Sequence, residues 1–356
     1  MLAHFAIKNM SKNKIKILYK TRTDKVILFF KIFLWYFKLG VKILYTRFFY
    51  NVVAVKPYKL TLEITSDCNF KCETCGLWNS KDKKYLRKED LIKIFSEYSS
   101  DIFFLVISGG EVFLGVESLK EAIDIAMRSC KNLYCISINT NGYFTDDIIL
   151  TVKSLLEKYS FLKIYIGNSY IPNQAWGIKK TAVADSFQKS ENTYRSLWEM
   201  KNTYRTRLNV RKMITINTLL DYESIRNYSG KDDLWINFSH KSDLYNNNDF
   251  VNVGNLSLAD KLFIVNDFYN KNRKHLSLFN RRYLYVMKKI LSTGKNNRRC
   301  FSGINRVFIN YENNKFICCM GLRDRSEIKF SQNCKMCWTP CEAVFDLVQN
   351  LSLWPN

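Results

Sequence analysis

Three cysteines share one short run, Cys68-Asn-Phe-Lys-Cys72-Glu-Thr-Cys75. The C-x3-C-x2-C spacing puts three soft thiolates on a single loop, and soft thiolates select iron–sulfur clusters or zinc. A structural zinc ion wants a fourth ligand nearby, and the only histidines, His4, His240 and His275, are remote in sequence. Three ligands on a four-iron cluster leave one iron open, and an open iron is useful only if a substrate or cofactor binds there. Further along stands Ser108-Gly109-Gly110-Glu111. Two glycines let backbone approach a ligand closely, and the glutamate can accept hydrogen bonds from an ammonium group.

A second group of cysteines lies near the C-terminal end: Cys300, the pair Cys318-Cys319, then Cys334-Lys-Met-Cys337-Trp-Thr-Pro-Cys341. The run RVFIN, turn YENN, KFICC reads as a β-hairpin that returns Cys318 and Cys319 towards Cys300. Adjacent strand residues face opposite ways, so those two cannot both enter one site. A structural zinc held by four cysteines is also permitted by this spacing. Cys130 and Cys135 read as small buried hydrophobes. The chain holds 11 cysteines, none before residue 68. An odd, clustered set is a poor disulfide framework and suits metal sites in a reducing compartment.

The elements that must position these groups alternate. Lys59–Thr65 is a β-rich run. Further strands are expected at 103–108, 134–139, 161–166, 208–217 and 235–239, with helices at 88–99, 118–130, 146–159, 189–204 and 221–229. Six strands with helices between them predict a parallel α/β sheet by the right-handed crossover rule, closed or partly closed as a (β/α)6 barrel of the TIM type. In such a fold the chemistry sits at the C-terminal ends of the strands. The first cysteine run and the Gly-Gly-Glu run follow the first and second strands.

Together these features resemble the radical S-adenosylmethionine (radical SAM) superfamily. The resemblance spans roughly residues 59–341. It implies that Cys68, Cys72 and Cys75 bind a 4Fe-4S cluster whose open iron chelates S-adenosylmethionine (AdoMet). Reductive cleavage then gives a 5′-deoxyadenosyl radical that abstracts hydrogen from a substrate. Gly109, Gly110 and Glu111 are implied at the methionyl end of AdoMet. Asn141, in the turn Thr140-Asn141-Gly142, and Ser169, ending Gly167-Asn168-Ser169, are candidate cofactor contacts. Thr74 stands where relatives often have an aromatic residue, and Val112 where they have proline. The C-terminal cysteines resemble a truncated SPASM or twitch extension. This implies a second 4Fe-4S cluster with Cys300, Cys319, Cys334 and Cys337 as ligands, Cys341 competing for the last place. A ferredoxin or flavodoxin is implied as electron donor. The class includes peptide maturases, dehydrogenases and enzymes acting on lipids or RNA.

The charge is local. The net charge is +23; residues 1–56 carry +11 and residues 271–299 carry +10, so the body is nearly neutral. Hydrophobic residues make up 47% of the chain, which excludes global disorder. The run Val26–Tyr50 has the length of a membrane span, but Lys31, Lys38, Lys42 and Arg47 interrupt it. Burying those charges would cost several kcal/mol each. An in-plane helix with lysines at lipid headgroups avoids that cost, as does a helix packed on the protein's own core. The apolar part starts too late, with no small-residue cleavage site after it, for a secretory leader. The expected layout is a basic amphipathic arm at 1–56, a barrel at 57–270, a basic linker and helix at 271–299 and an auxiliary-cluster domain at 300–356. A cytoplasmic protein, peripheral on the membrane's inner face, follows, with a lipid-linked substrate favoured over peptide or RNA. A non-catalytic iron–sulfur carrier is the alternative, although a pure electron carrier needs no open three-cysteine site with a Gly-Gly-Glu partner.

Overall fold

A computed structural model describes residues 22–49, 55–80, 82–228, 234–240, 256–295, 300–318, 321 and 323. The chain divides into two compact units, residues 1–55 and 56–356. The described part of the first is one long helix, α1 (Arg22–Phe49). Among the described residues no helix is long and apolar enough to cross a membrane.

The second unit is an open α/β barrel. Strands β1 (Lys59–Glu63), β2 (Phe104–Ser108), β3 (Cys135–Thr140), β4 (Lys163–Ser169), β5 (Leu208–Ile216) and β6 (Leu234–Phe238) are parallel and pair in sequence order. Intervening helices are α2 (Lys88–Glu97), α3 (Val116–Ser129), α4 (Thr145–Lys158), α5 (Gln174–Thr181), α6 (Ser186–Tyr204) and α7 (Leu219–Glu223). The six expected strands are all present, with ends shifted by up to three residues.

Alternation along each strand explains the layering. Leu60 and Leu62 of β1, Leu105 and Ile107 of β2, and Ile136 and Ile138 of β3 are buried in one core with Phe95, Leu119, Ile123 and Val152 of the helices. Their neighbours Lys59, Ser108, Ser137, Asn139, Tyr165 and Arg211 line the concave inner face. The outer face is a continuous apolar layer and the inner face is mixed. An interior of this kind is a chamber, not a second core.

The structure differs from or adds to the expected elements in three places. The helix expected over 221–229 ends at Glu223. In the segment 271–299 the expected helix is present as α9 (Leu278–Thr293), and α8 (Leu258–Asn272), which was not expected, runs into its start. Tyr283, Leu284, Met287, Ile290 and Leu291 of α9 form a second core with Ile264, Val265 and Phe268 of α8 and with Ile214 and Ile236 of the sheet. Helical spacing of those apolar residues outweighs the surrounding basic charge. Finally, β7 (Arg306–Ile309) adds parallel to the free edge of β1, with Lys59 opposite Arg306, and β8 (Lys315–Phe316) folds back on it as the expected hairpin. The hairpin therefore extends the barrel sheet itself.

Candidate active site

The cysteine loop leaves the C-terminal end of β1 and is held from several sides. The Cys75 amide donates to the Cys72 carbonyl at 3.2 Å, closing a turn. The Trp78 indole N–H donates to the same carbonyl at 3.2 Å. The Lys71 and Glu73 amides donate to the Thr181 and Lys180 carbonyls at the end of α5, at 2.9 and 3.2 Å. The Asn141 Nδ2 donates to Asn69 Oδ1 at 2.8 Å, tying the loop to the β3 turn.

Lys180 is the central cation of this support. Its ammonium pairs with Glu73 in the loop and with Asp221 at 2.9 Å. Asp221 is buried; its second oxygen accepts the Asn217 and Thr218 amides at 2.9 Å each, and its first accepts the Trp176 indole N–H at 3.2 Å. Sequence reasoning missed this triad. The signal was available in Thr218-Leu-Leu-Asp221, a capping-box pattern that fixes the aspartate at the start of α7.

The Gly-Gly-Glu turn serves the loop from the other side. The Gly110 and Glu111 amides donate to the Thr65 and Asp67 carbonyls at 2.8 and 2.7 Å. A Cβ on Gly109 would strike the Thr65 carbonyl oxygen and one on Gly110 the Asp67 carbonyl oxygen, both far inside van der Waals contact. Gly109 also has φ +142°, a conformation that favours glycine. The close backbone approach expected of these glycines is thus made to the exit of β1.

Glu111 is fully buried. Its Oε1 accepts from Thr140 Oγ1 at 2.8 Å and the Phe113 amide at 3.1 Å, and its Oε2 accepts the Asn141 amide at 2.6 Å. Burial pushes its carboxyl up to about 7 despite these donors. The carboxylate links the ends of β2 and β3, where an AdoMet ammonium partner was expected.

One cavity of about 550 Å³ opens over these strand ends. Cys68, Cys72, Cys75, Gly109, Gly110 and Asn141 all line it, and Ser169 at the end of β4 lines it too. Thr74 is also on the wall. Cys130 and Cys135 are both buried, as expected; Cys130 packs in the core, and Cys135, on the inner face of β3, also borders the cavity. At the C-terminal site Cys300 is half-buried, with Arg306 Nη2 4.0 Å from its sulfur, and Cys318 is buried. Cys319, Cys334, Cys337 and Cys341 lie outside the described residues.

The donor set fits an iron–sulfur cluster. Burial pushes the Cys68 thiol up to about 12 and Cys75 up to about 11, and raises Cys72 well above its ordinary value. The neighbouring sulfurs also oppose ionisation of Cys68 and Cys72. Three thiols so placed ionise together only when a multiply charged metal centre compensates them. No three such side chains among the described residues converge on a single ion.

No protein-family model and no curated protein matches the sequence. Among solved structures, the fold is similar to native anSMEcpe with bound AdoMet and the Cp18Cys peptide, with a TM-score of 0.51 at 19% identity over 74% of this chain and 75% of that one. It is similar to native anSMEcpe with bound AdoMet, TM-score 0.50 at 16% identity over 76% and 77%. Streptococcus suis SuiB bound to S-adenosylmethionine aligns at TM-score 0.49 and 13% identity over 76% and 61%. The chain has the fold of the radical SAM enzymes.

Proposed function

We propose that the protein is a radical SAM enzyme in which Cys68, Cys72 and Cys75 hold a 4Fe-4S cluster with one iron left for AdoMet. The observation that carries this reading is convergence. A three-thiol loop and a Gly-Gly-Glu turn, hydrogen-bonded to each other's backbone, both border one cavity at the C-terminal ends of parallel strands. When bound, the cluster supplies one electron that cleaves the AdoMet sulfonium to methionine and a 5′-deoxyadenosyl radical. The chain's own residues do the rest. The Lys180 pairs fix the loop, Glu111 fixes the β2 and β3 exits, and the wall of Trp78, Tyr165, Tyr170, Trp176 and Trp235 keeps the chamber poor in water. A chamber closed to bulk solvent keeps such a radical away from dissolved oxygen and adventitious hydrogen donors.

The substrate chemistry is hydrogen abstraction from carbon, and a peptide is the substrate class we favour. Its support is the solved anSMEcpe complex, which contains a peptide beside AdoMet. A lipid-linked substrate was favoured on the sequence alone. Its remaining support is α1, on which Phe30, Phe33, Phe37, Leu44 and Phe48 are exposed, although Trp35 and Leu39 are buried. A second cluster at the C-terminal cysteines, with Cys300 among its ligands, and a ferredoxin or flavodoxin as reductant complete the proposal. Anaerobically reconstituted protein given AdoMet and dithionite should release 5′-deoxyadenosine. A protein carrying its iron that releases none overturns the reading.

A further inference from the structure

The inner face of β5 and β6 forms a wall rich in hydrogen-bond donors. Arg211 projects from β5 with its guanidinium carbon 4.3 Å from the centre of the Trp235 ring on β6 and 5.6 Å from that of Tyr165 on β4. The indole is itself stacked on Tyr283 of α9, centroids 5.5 Å apart at 13°. A guanidinium held close to two aromatic rings by cation–π attraction is restrained, which limits the directions its N–H fork can take.

Two buried N–H donors on the same wall have no acceptor among the described residues: Trp235 Nε1 and Asn217 Nδ2. Both side chains are more than nine-tenths buried. An indole N–H left unsatisfied in a buried site is costly, and a native wall does not keep such groups without a ligand to meet them. The carboxylates that line the cavity, Glu73 and Asp221, are both engaged by Lys180 and do not serve these donors.

We propose that this wall is an oxyanion subsite, with Arg211 and Trp235 holding a carboxylate or phosphate group of the substrate. The inference rests on the reading of the cavity as the substrate chamber. A planar fork beside an indole N–H matches a planar or tetrahedral group of acceptor oxygens and offers nothing to a cation. The substrate is thereby oriented with its anionic end at β5–β6, across the chamber from the cysteine loop that leaves β1.

The test titrates the full-length protein with benzoate, phenyl phosphate and the neutral benzamide by calorimetry. One of the anions should bind saturably and at least tenfold more tightly than benzamide, and the tighter of the two identifies the group. Arg211→Gln should weaken that anion tenfold or more, and Trp235→Phe, which keeps the ring and removes the N–H, severalfold. If Arg211→Gln does not fold, Arg211→Lys serves instead, since it keeps the charge and loses the fork; it should weaken binding too. Anions that bind no better than benzamide, or that bind the variants as they bind the native protein, overturn the subsite. No turnover is involved. Anion binding without deoxyadenosine formation would therefore overturn the proposed function and leave this subsite standing, and the reverse pair of results would do the opposite.

Discussion

Glu111 Oε2 accepts the backbone N–H of Asn141 at 2.6 Å, joining the residue that ends the Gly-Gly-Glu turn to the turn that follows β3. The two residues are 30 positions apart, and the bond is part-buried, with the Glu111 side fully buried. Changing Glu111 to Gln places an amide N–H₂ where an acceptor is required, opposite either the Asn141 amide or the Thr140 and Phe113 donors. Leaving buried donors unmet costs about 1–3 kcal/mol. Thermal unfolding of Glu111→Gln should show that loss, with AdoMet affinity falling as the strand ends loosen. A variant as stable as the native protein would mean that this carboxylate is not what aligns β2 with β3.

Gly110→Ala tests the docking of that turn on the cysteine loop's entry. The added methyl meets the Asp67 carbonyl oxygen, one residue before Cys68. Because the obstacle is backbone, the β1 exit must move. The expected result is normal helix and sheet content by circular dichroism with less than half of the native iron after reconstitution. Full iron loading would show that the loop tolerates the displacement.

Lys180→Met should be among the most damaging single changes outside the cysteines. It leaves Glu73 and the buried Asp221 without their shared cation, and breaking a buried ion pair costs on the order of 3–5 kcal/mol. The loss should appear both in the unfolding midpoint and in slower or incomplete cluster assembly, because the Glu73 backbone is bonded to the same residue. Unchanged stability would remove Lys180 from this role.

Glu63 gives a pH dependence. It ends β1, is 2% exposed, and its Oε2 has no hydrogen-bond partner among the described residues. Burial raises its carboxyl from 4.5 to about 8. A folded-state value above the unfolded one means that the folded protein holds the proton more tightly. The associated stability is full below about 4.5 and is lost as pH rises through about 8. Glu63→Gln should therefore unfold at a higher temperature than the native protein at pH 9 and at nearly the same temperature at pH 5. Parallel pH profiles for the two proteins would contradict this.

The strands were legible because each is a short apolar run bounded by turn residues, and the cysteine loop because thiols at fixed spacing have few other uses. Two kinds of feature were hidden. Cys135 was read as a small buried hydrophobe and is buried, but composition does not say which face of β3 it occupies; its place beside the chamber is set by the register with β2 and β4. The capping box marks Asp221 as fixed at a helix start, but its pairing with Lys180, and that of Lys180 with Glu73, 107 positions away, is announced by no local pattern. Glu111 was found by its motif, but its bonds to Thr140 and Asn141 depend on how two strand ends lie side by side. The placement of β7 beside β1 also changes how the C-terminal site should be probed. A chain cut before Cys300 loses an edge strand, so Cys300→Ser is the sounder test of a second cluster.

Whether the three-cysteine loop is the site of AdoMet cleavage is decided by 5′-deoxyadenosine formation in Cys72→Ala beside Cys130→Ala, each measured with its iron content. Both cysteines are single thiols of the same chain, but Cys72 lines the chamber and Cys130 packs in the core. Cys72→Ala should lose about four irons, one cluster's share, and make no deoxyadenosine, whereas Cys130→Ala should keep both. A Cys72→Ala protein that still forms 5′-deoxyadenosine at the native rate would contradict the assignment of the three-cysteine loop as the site of AdoMet cleavage.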